Sequence, residues 1–262
     1  MSGASRWIRT ILRCDSSHPD LANVLDVIER LGGRPYRTNV LLRGEAGTGK
    51  EGLARALHAL MHGSRAPFVE VHAVGRADRA LAELFGAGSR PKKALVDRAE
   101  GGTLFFDEVA DLPGEVQFRL AELLRARPGA QGGPTVVACT ERDLGAMVQE
   151  RRFRHDLYHR IARIVLALPP LRERPGDVRR TVIWIGNRVL GRHGDPRTLE
   201  VAGDRTGDAT IAVTPGAIEA LCAHSWPGNF RELEAVLERA LLLYLGDGDE
   251  LEASHVGRAL GG

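Results

Sequence analysis

The sequence predicts an α/β protein in which a three-layer αβα domain with a largely parallel sheet spans residues 1–170 and a small α-helical domain spans residues 171–262. Three observations support this class. Short apolar runs alternate with helical segments through the first part of the chain, which is typical of a parallel sheet with crossover helices. A glycine-rich turn joins the first good apolar run to a helix. After Pro170 helical segments continue, and no run typical of a buried strand follows.

Each predicted element follows from a local pattern of apolar residues. Five apolar runs predict the strands, at 39–43, 68–72, 103–106, 135–140 and 164–168. Apolar residues at helical spacing predict helices at 19–31, 115–124, 177–190, 215–224 and 230–245. The segment Asp195–Val213 is polar and contains glycines, so it predicts a loop or a short hairpin.

The turn after the first strand has the composition of a phosphate-binding loop. It consists of Gly44, Glu45, Ala46, Gly47, Thr48, Gly49, Lys50 and Glu51. Glycines let backbone N–H groups point at phosphate oxygens, and the start of the following helix adds its positive dipole end. Lys50 would reach the outer phosphates. The usual pattern ends in Ser or Thr, which holds Mg²⁺, whereas Glu51 stands here. The alternative is a glycine-rich turn with no such function.

The scarcity of lysine strengthens the interpretation of this turn. Of the 36 lysines and arginines, only Lys50, Lys92 and Lys93 are lysines. Arginine is therefore the default cation of this chain, yet a lysine occupies the position at which a phosphate-binding loop requires one.

Two acids follow the apolar run at 103–106. Asp107 and Glu108 would be costly to bury unpaired, but they fit the carboxyl edge of a parallel sheet, where ligands bind. There Asp107 would hold Mg²⁺ through water, and Glu108 would polarise an attacking water. The alternative is an acidic cap between a strand and a helix.

Composition and cysteine usage exclude several classes of protein. The chain is 43% hydrophobic and 27% charged, which is ordinary for a soluble globular protein. A net charge of +2 gives no argument for a general nucleic-acid or membrane binder. Three scattered cysteines form neither a metal spacing nor a disulfide framework, and the sequence contains no membrane-length apolar run and no signal-peptide pattern. We therefore expect a cytoplasmic protein.

Taken together, the motifs resemble the AAA+ ATPase domain of bacterial enhancer-binding proteins, the activators of sigma-54 RNA polymerase. The resemblance extends from about Pro19 to the end of the chain. Five segments match in order, namely the phosphate loop with Glu at its last position, the second nucleotide motif, the arginine-finger helix, the turn into the lid and the second sensor: 44–51, 101–109, 153–160, 168–174 and 226–233.

The resemblance implies roles for particular residues. Arg154 and Arg160 would reach the ATP of a neighbouring subunit and neutralise charge that develops during phosphoryl transfer. Arg231 would contact the nucleotide from the lid of the same subunit. Members of this family assemble as ring hexamers, because each site is completed by its neighbour. We therefore expect ATP and Mg²⁺ as cofactors and a ring of identical subunits that remodels a protein partner.

Several departures from the family pattern limit what can be carried over. The GAFTGA loop, which contacts the sigma factor, is replaced by Ala87–Lys93, so direct contact with sigma-54 is doubtful. His72 stands where an asparagine that restrains the catalytic glutamate is usual, and Glu141 stands at the first-sensor asparagine. A carboxylate near a γ-phosphate would be unfavourable. We also expect no DNA-binding domain in this chain.

Three functional hypotheses remain open. The first is an ATP-hydrolysing ring that remodels a protein. The second is a transcription regulator of the sigma-54 activator type, acting directly or in another way. The third is a nucleotide-binding scaffold that scarcely hydrolyses ATP, which His72 and Glu141 motivate. Whether Arg90, Lys92 and Lys93 form a replacement contact loop is also open.

Overall fold

The computed structural model describes residues 18–32, 37–71, 77–86, 94–126, 133–202 and 209–261. These residues form two compact units. The first contains Pro19–Glu45 and Gly49–Leu168, and the second contains Ala46–Thr48 and the chain from Pro169 onward, together with His18. The middle of the glycine-rich turn is thus grouped with the second unit, and the turn's two ends with the first. His72 and the segment Ala87–Lys93 lie outside the described residues.

The first unit contains a five-stranded parallel sheet. Its strands lie in the order β2-β3-β4-β1-β5, with bounds β1 Val40–Arg43, β2 Phe68–Val71, β3 Thr103–Phe106, β4 Thr135–Thr140 and β5 Ile164–Ala167. Strands β3 and β4 lie inside the sheet, and all their residues are buried. Because every pairing is parallel, the carboxyl ends of all five strands lie at one edge of the sheet, as the alternation of strands and helices predicts.

Helices cover this sheet and connect its strands. They are α1 Pro19–Gly32, α2 Lys50–His62, α3 Ala77–Phe85, α4 Leu95–Arg98, α5 Gly114–Ala126, α6 Leu144–Gln149 and α7 His155–Ile161, with a 3₁₀ turn at Val109–Asp111. The core is formed largely by aliphatic side chains of the strands and helices. Phe106 and Phe153 are also part of it. The α/β class predicted from the sequence is confirmed.

A close backbone approach fixes the start of β3. A Cβ atom added at Gly102 would clash with the carbonyl oxygen of Pro67 and lie 2.8 Å from the Cγ atom of the same proline. The N–H of Thr103 donates to that carbonyl oxygen at 2.9 Å. Gly102 is therefore required because a side chain does not fit, and this packing sets the register of β3 beside the segment that leads into β2.

The second unit is mainly helical but also contains a small sheet. Its helices are α8 Pro175–Arg192, α9 Pro215–Ala223, α10 Asn229–Arg239 and α11 Ala253–Leu260, with a 3₁₀ turn at Leu171–Glu173. Helix α10 continues as a π-helix over Ala240–Leu245, so the single long helix predicted at 230–245 is divided in two.

The prediction that no buried strand follows Pro170 is wrong. Strands β6 Thr198–Val201, β7 Thr210–Val213 and β8 Glu250–Leu251 form a three-stranded parallel sheet in the order β6-β7-β8. Strand β7 is fully buried. The segment 195–213 is therefore not a hairpin, because β6 and β7 run parallel. Its strands are four residues long, and their pairing depends on packing against helices distant in sequence, such as that of Leu199 against Gly186 of α8.

Candidate functional site

The glycine-rich turn lies between β1 and α2, as a phosphate-binding loop requires. Gly47 and Gly49 have φ values of 73° and 99°, in the left-handed region that favours glycine. Gly49 is the N-cap residue directly before α2, and no side chain caps that helix. The first N–H groups of α2 therefore have no capping side chain, which is the arrangement that an anion can occupy.

Lys50 is buried at the start of α2, with only 7% of its surface exposed. Its Nζ atom donates to the backbone oxygens of Gly44 at 2.6 Å and Glu45 at 2.9 Å. The ammonium group is thus held inside the turn by the turn's own carbonyl groups. Glu51 is exposed instead and bonds to Arg55 one helical turn later, at 3.1 Å. Arg55 also pairs with Glu70.

Asp107 and Glu108 lie directly after β3, at the carboxyl edge of the sheet. Asp107 is exposed. Glu108 is half-buried, and its carboxylate accepts two backbone hydrogen bonds, from Ala110 at 3.2 Å and from Glu141 at 3.0 Å. Because Glu141 follows β4, the ends of two adjacent strands hold this carboxylate in place.

Glu141 contributes its backbone to Glu108 and its side chain to Lys50. A carboxylate oxygen of Glu141 lies 4.0 Å from Lys50 Nζ, with about half of the glutamate side chain exposed. The backbone N–H of Glu141 therefore positions Glu108, whereas its negative side chain stands beside the cation expected to bind phosphate. The carboxylate of Glu141 is therefore directed towards Lys50 and not away from it.

The two arginines predicted as fingers lie at opposite ends of α7. Arg154 precedes the helix, and its backbone N–H donates to the buried side chain of Gln117 at 2.9 Å. Its guanidinium group forms a bidentate pair with Asp156 at 3.0 and 2.9 Å and lies 5.0 Å from the ring centre of Phe118. Through this hydrogen-bonded pair Arg154 lowers the pKa of Asp156.

Arg160 is half-buried near the end of α7. Its backbone oxygen accepts a hydrogen bond from Asn39 at 2.9 Å, which joins α7 to the segment before β1. Among the described residues, the guanidinium group of Arg160 forms no ion pair. The two guanidinium groups therefore differ, since that of Arg154 is paired with Asp156 and that of Arg160 has no ion pair within the described residues.

Arg231 belongs to the second unit, in which it is exposed on α10. Within this unit, which includes Ala46–Thr48, a Cβ atom added at Gly47 would lie 3.3 Å from the Cγ atom of Arg231. Arg231 thus lies beside the middle of the glycine-rich turn.

Two further residues of the second unit bind the turn, one at Ala46 and the other at Thr48. The Asn229 side chain donates to the backbone oxygen of Ala46 at 2.9 Å and accepts from the N–H of Leu171 at 2.7 Å. Arg174, paired with buried Asp177, donates to the backbone oxygen of Thr48 at 2.7 Å. Both residues lie in segments singled out from the sequence, but neither was predicted as a site residue. No sequence pattern indicates that Asn229 has a φ of 52° and is buried.

Comparison with known families decides the classification. The model of the Sigma-54 interaction domain matches residues 15–167, more than half of the chain. The chain belongs to the sigma-54 interaction domain family. The AAA+ ATPase lid domain matches residues 198–261. The resemblance inferred from the motifs is thereby confirmed, and the chain is a AAA+ domain of the sigma-54 activator type.

Relatives of this sigma-54 interaction domain are longer than the chain. It is 36% identical over 225 residues to the sigma54-dependent transcriptional regulator SfnR of Pseudomonas fluorescens, covering 80% of this chain and 58% of that protein. It is 32% identical over 241 residues to the Nif-specific regulatory protein of Azotobacter vinelandii, covering 86% of this chain and 43% of that protein. The chain thus spans about half the length of these relatives.

Solved structures agree with the fold of a sigma-54 interaction domain. NtrX from Brucella abortus in complex with ADP has a TM-score of 0.76 at 29% identity, covering 95% of this chain and 56% of NtrX. Its complex with ATP has a TM-score of 0.73 at 30% identity, covering 92% of this chain and 56% of NtrX. Thermotoga maritima RuvB, at 17% identity and a TM-score of 0.59 over 92% of this chain and 68% of RuvB, shares the fold.

No helix among the described residues has both the length and the apolar character needed to cross a membrane.

Proposed function

We propose that this sigma-54 interaction domain binds ATP with Mg²⁺ and hydrolyses it at the interfaces of a ring of identical subunits. The observation that carries the proposal is the arrangement of side chains at the edge of the sheet. There Lys50 donates to the backbone of the glycine-rich turn, and the N–H groups of Ala110 and Glu141 donate to the carboxylate of Glu108. The NtrX complexes with ADP and ATP support nucleotide binding by a domain of this fold.

Lys50 and the turn would bind the phosphates. The backbone oxygens of Gly44 and Glu45 already fix the Lys50 ammonium group, so it can donate its third hydrogen to a phosphate oxygen. Gly44, Glu45, Ala46, Gly47, Thr48, Gly49 and Glu51 would complete the loop, and Arg231 would contact the nucleotide from the lid.

Glu108 would act on the attacking water. A carboxylate has about four acceptor positions, and backbone N–H groups occupy two of them. The remaining positions can accept the hydrogens of a water and orient it towards the terminal phosphorus. Asp107, an exposed carboxylate at the same strand end, offers the oxygen donor that Mg²⁺ prefers, directly or through water. The ion would neutralise charge on the phosphates.

Arg154 and Arg160 would complete the site of the neighbouring subunit. Asp156 holds the Arg154 guanidinium in one orientation, whereas Arg160 is free of ion pairs within the described part of its own chain. A guanidinium supplied by a neighbour stabilises charge in the transition state of phosphoryl transfer. The proposed ring is most often a hexamer in this family. Its work would be to remodel a protein partner in transcription regulation, without the usual sigma-54 contact loop.

ATP turnover per subunit, measured across a range of protein concentrations, tests the proposal. We expect turnover to rise with concentration, because each site needs two subunits. Glu108→Gln should keep nucleotide binding and lose turnover. Constant turnover per subunit at all concentrations would contradict shared sites.

The contact between Glu141 and Lys50 favours a second candidate, a scaffold that binds ATP with little hydrolysis. The same assay separates the two functions. Negligible turnover at every concentration, with ATP still bound, would support the scaffold. Mixing the protein with purified sigma factor and a transition-state analogue then tests direct activation, since absence of a complex would exclude it.

A further inference from the structure

Helix α7 carries two histidines whose rings face each other. His155 and His159 are four residues apart, and both are exposed. Their Nε2 atoms lie 3.0 Å from each other, and their ring centres are 4.3 Å apart. Four residues is the helical spacing at which two imidazoles on one face can bind the same metal ion.

The distance between the nitrogens indicates which ions would fit. With metal–nitrogen bonds of about 2.0–2.1 Å, two nitrogens 3.0 Å apart subtend an angle of about 95° at the metal. This angle is close to that of neighbouring ligands in square-planar or octahedral coordination, which Cu²⁺ and Ni²⁺ adopt, and smaller than the tetrahedral angle of zinc sites. Neutral rings protonated on Nδ1 present both Nε2 lone pairs to the ion.

The surroundings leave these two nitrogens available. Asp156, the nearest carboxylate in sequence, is engaged by Arg154 through both of its oxygens. No group of three or more metal-binding side chains occurs among the described residues, so water would complete the coordination.

A second histidine pair with the same spacing differs from this one in the partners of its ring nitrogens. His58 and His62 lie on α2, where His62 contacts Thr135 through Nε2 and Gly101 through Nδ1. His58 Nδ1 contacts Thr103. The nitrogens of the α2 pair are thus used by the fold. Among the described residues, the ring nitrogens of the α7 pair form a hydrogen-bond contact only with each other, although the His159 ring also packs against Tyr158.

We infer that His155 and His159 form a binding site for one divalent late transition-metal ion, with Cu²⁺ and Ni²⁺ preferred. The site does not depend on ATP binding or hydrolysis, so a metal-binding experiment tests it independently of the proposed function.

Calorimetric titration of the full chain, without an affinity tag, with NiCl₂ tests the site. We expect the strongest binding step to have a stoichiometry of one. His155→Gln and His159→Gln should each weaken it by about tenfold or more, because a chelate becomes a single-ligand contact. The double variant should lose it. His193→Gln, which removes an exposed histidine paired with Glu238, should bind Ni²⁺ as the unaltered chain does.

Electron paramagnetic resonance of the Cu²⁺-loaded chain gives a second readout, since splitting from two imidazole nitrogens is expected and should fall to one in either single variant. Far-ultraviolet circular dichroism checks that the variants are folded. Unchanged Ni²⁺ affinity in a folded double variant, or the absence of a one-to-one step in the unaltered chain, would overturn the proposal.

Discussion

Helices α2 and α7 carry similar residues in opposite settings. Each carries a cation of the proposed site and a histidine pair at a spacing of four. On α2, Lys50 bonds to its own turn, and His58 and His62 bond to residues of the sheet or its flanks. On α7, Arg160 forms no ion pair within the described part of the chain, and the histidines face solvent. The groups of α2 are thus held by residues of their own chain, whereas the histidines of α7 are exposed and Arg160 has no ion pair within the described residues.

The largest effect should come from removing Arg160, the arginine of α7 that forms no ion pair within the described residues. Arg160→Ala is expected to lower turnover about 10³-fold or more, because a finger arginine is worth that much in phosphoryl transfer. Nucleotide binding should be retained. Arg163→Ala, an exposed arginine three residues further on, is the matched control and should retain turnover.

A mixing experiment sharpens this result. Lys50→Ala and Arg160→Ala chains should each be inactive alone. When they are mixed in equal amounts, about a quarter of the sites in a random ring should combine an intact Lys50 with an intact neighbouring Arg160 and regain turnover. If no activity returns although mixed rings form, Arg160 does not act across an interface.

The next effect concerns Lys50, the cation held by the backbone of the glycine-rich turn. Lys50→Ala should weaken ATP binding by roughly 10- to 100-fold, since a charge-assisted hydrogen bond contributes about 1.5–3 kcal/mol. Titration with a fluorescent nucleotide measures this change. Lys92→Ala removes another of the three lysines and should leave affinity unaltered.

A smaller change is expected at Glu141. Glu141→Gln removes the carboxylate 4.0 Å from Lys50 Nζ but keeps the backbone N–H that holds Glu108. ATP affinity should rise only a few-fold, because half-exposed pairs contribute at most about 1 kcal/mol. Reduced affinity in the same titration would show that Glu141 assists binding.

The last effect should appear in the dependence of stability on pH rather than in activity. Burial, with nearby positive charge from Arg37 and His58, lowers the pKa of His62 to about 4 from the ordinary 6.5. The unfolded chain therefore takes up this proton first, so the stabilisation is complete above about pH 6.5 and is lost as the pH falls towards 4. Denaturant unfolding at several pH values should show a shallower acid slope for His62→Gln. His159→Gln on α7 serves as the control, and an identical slope in His62→Gln would contradict the assignment.

The contrast also explains how far the sequence could predict the site. Lys50, Asp107 and Glu108 follow apolar strands, so a local pattern places them at the sheet edge. The two hydrogen bonds that hold Glu108 depend on β3 and β4 being neighbours, which no local pattern states. The strands β6–β8 were not predicted for the same reason, since the pairing of β7 with β6 and with β8 joins separate segments, which no local pattern states.

The contact between His155 and His159 was also absent from the sequence prediction. Spacing alone does not distinguish this pair from His58 and His62, because burial and the neighbouring threonines decide which nitrogens remain available. Pairing partners and side-chain surroundings, rather than residue identity, account for what could not be foreseen.

The close approach at Gly102 has a consequence for genetics. In a saturation screen scored by growth, every substitution at this codon should be lost, because Pro67 leaves no room for a side chain. Substitutions of Lys50 would be lost as well, because they remove the cation proposed to bind phosphate. Abundance of the protein in the same cells separates the two, since a Gly102 variant should be degraded, whereas a Lys50 variant should accumulate as an inactive protein.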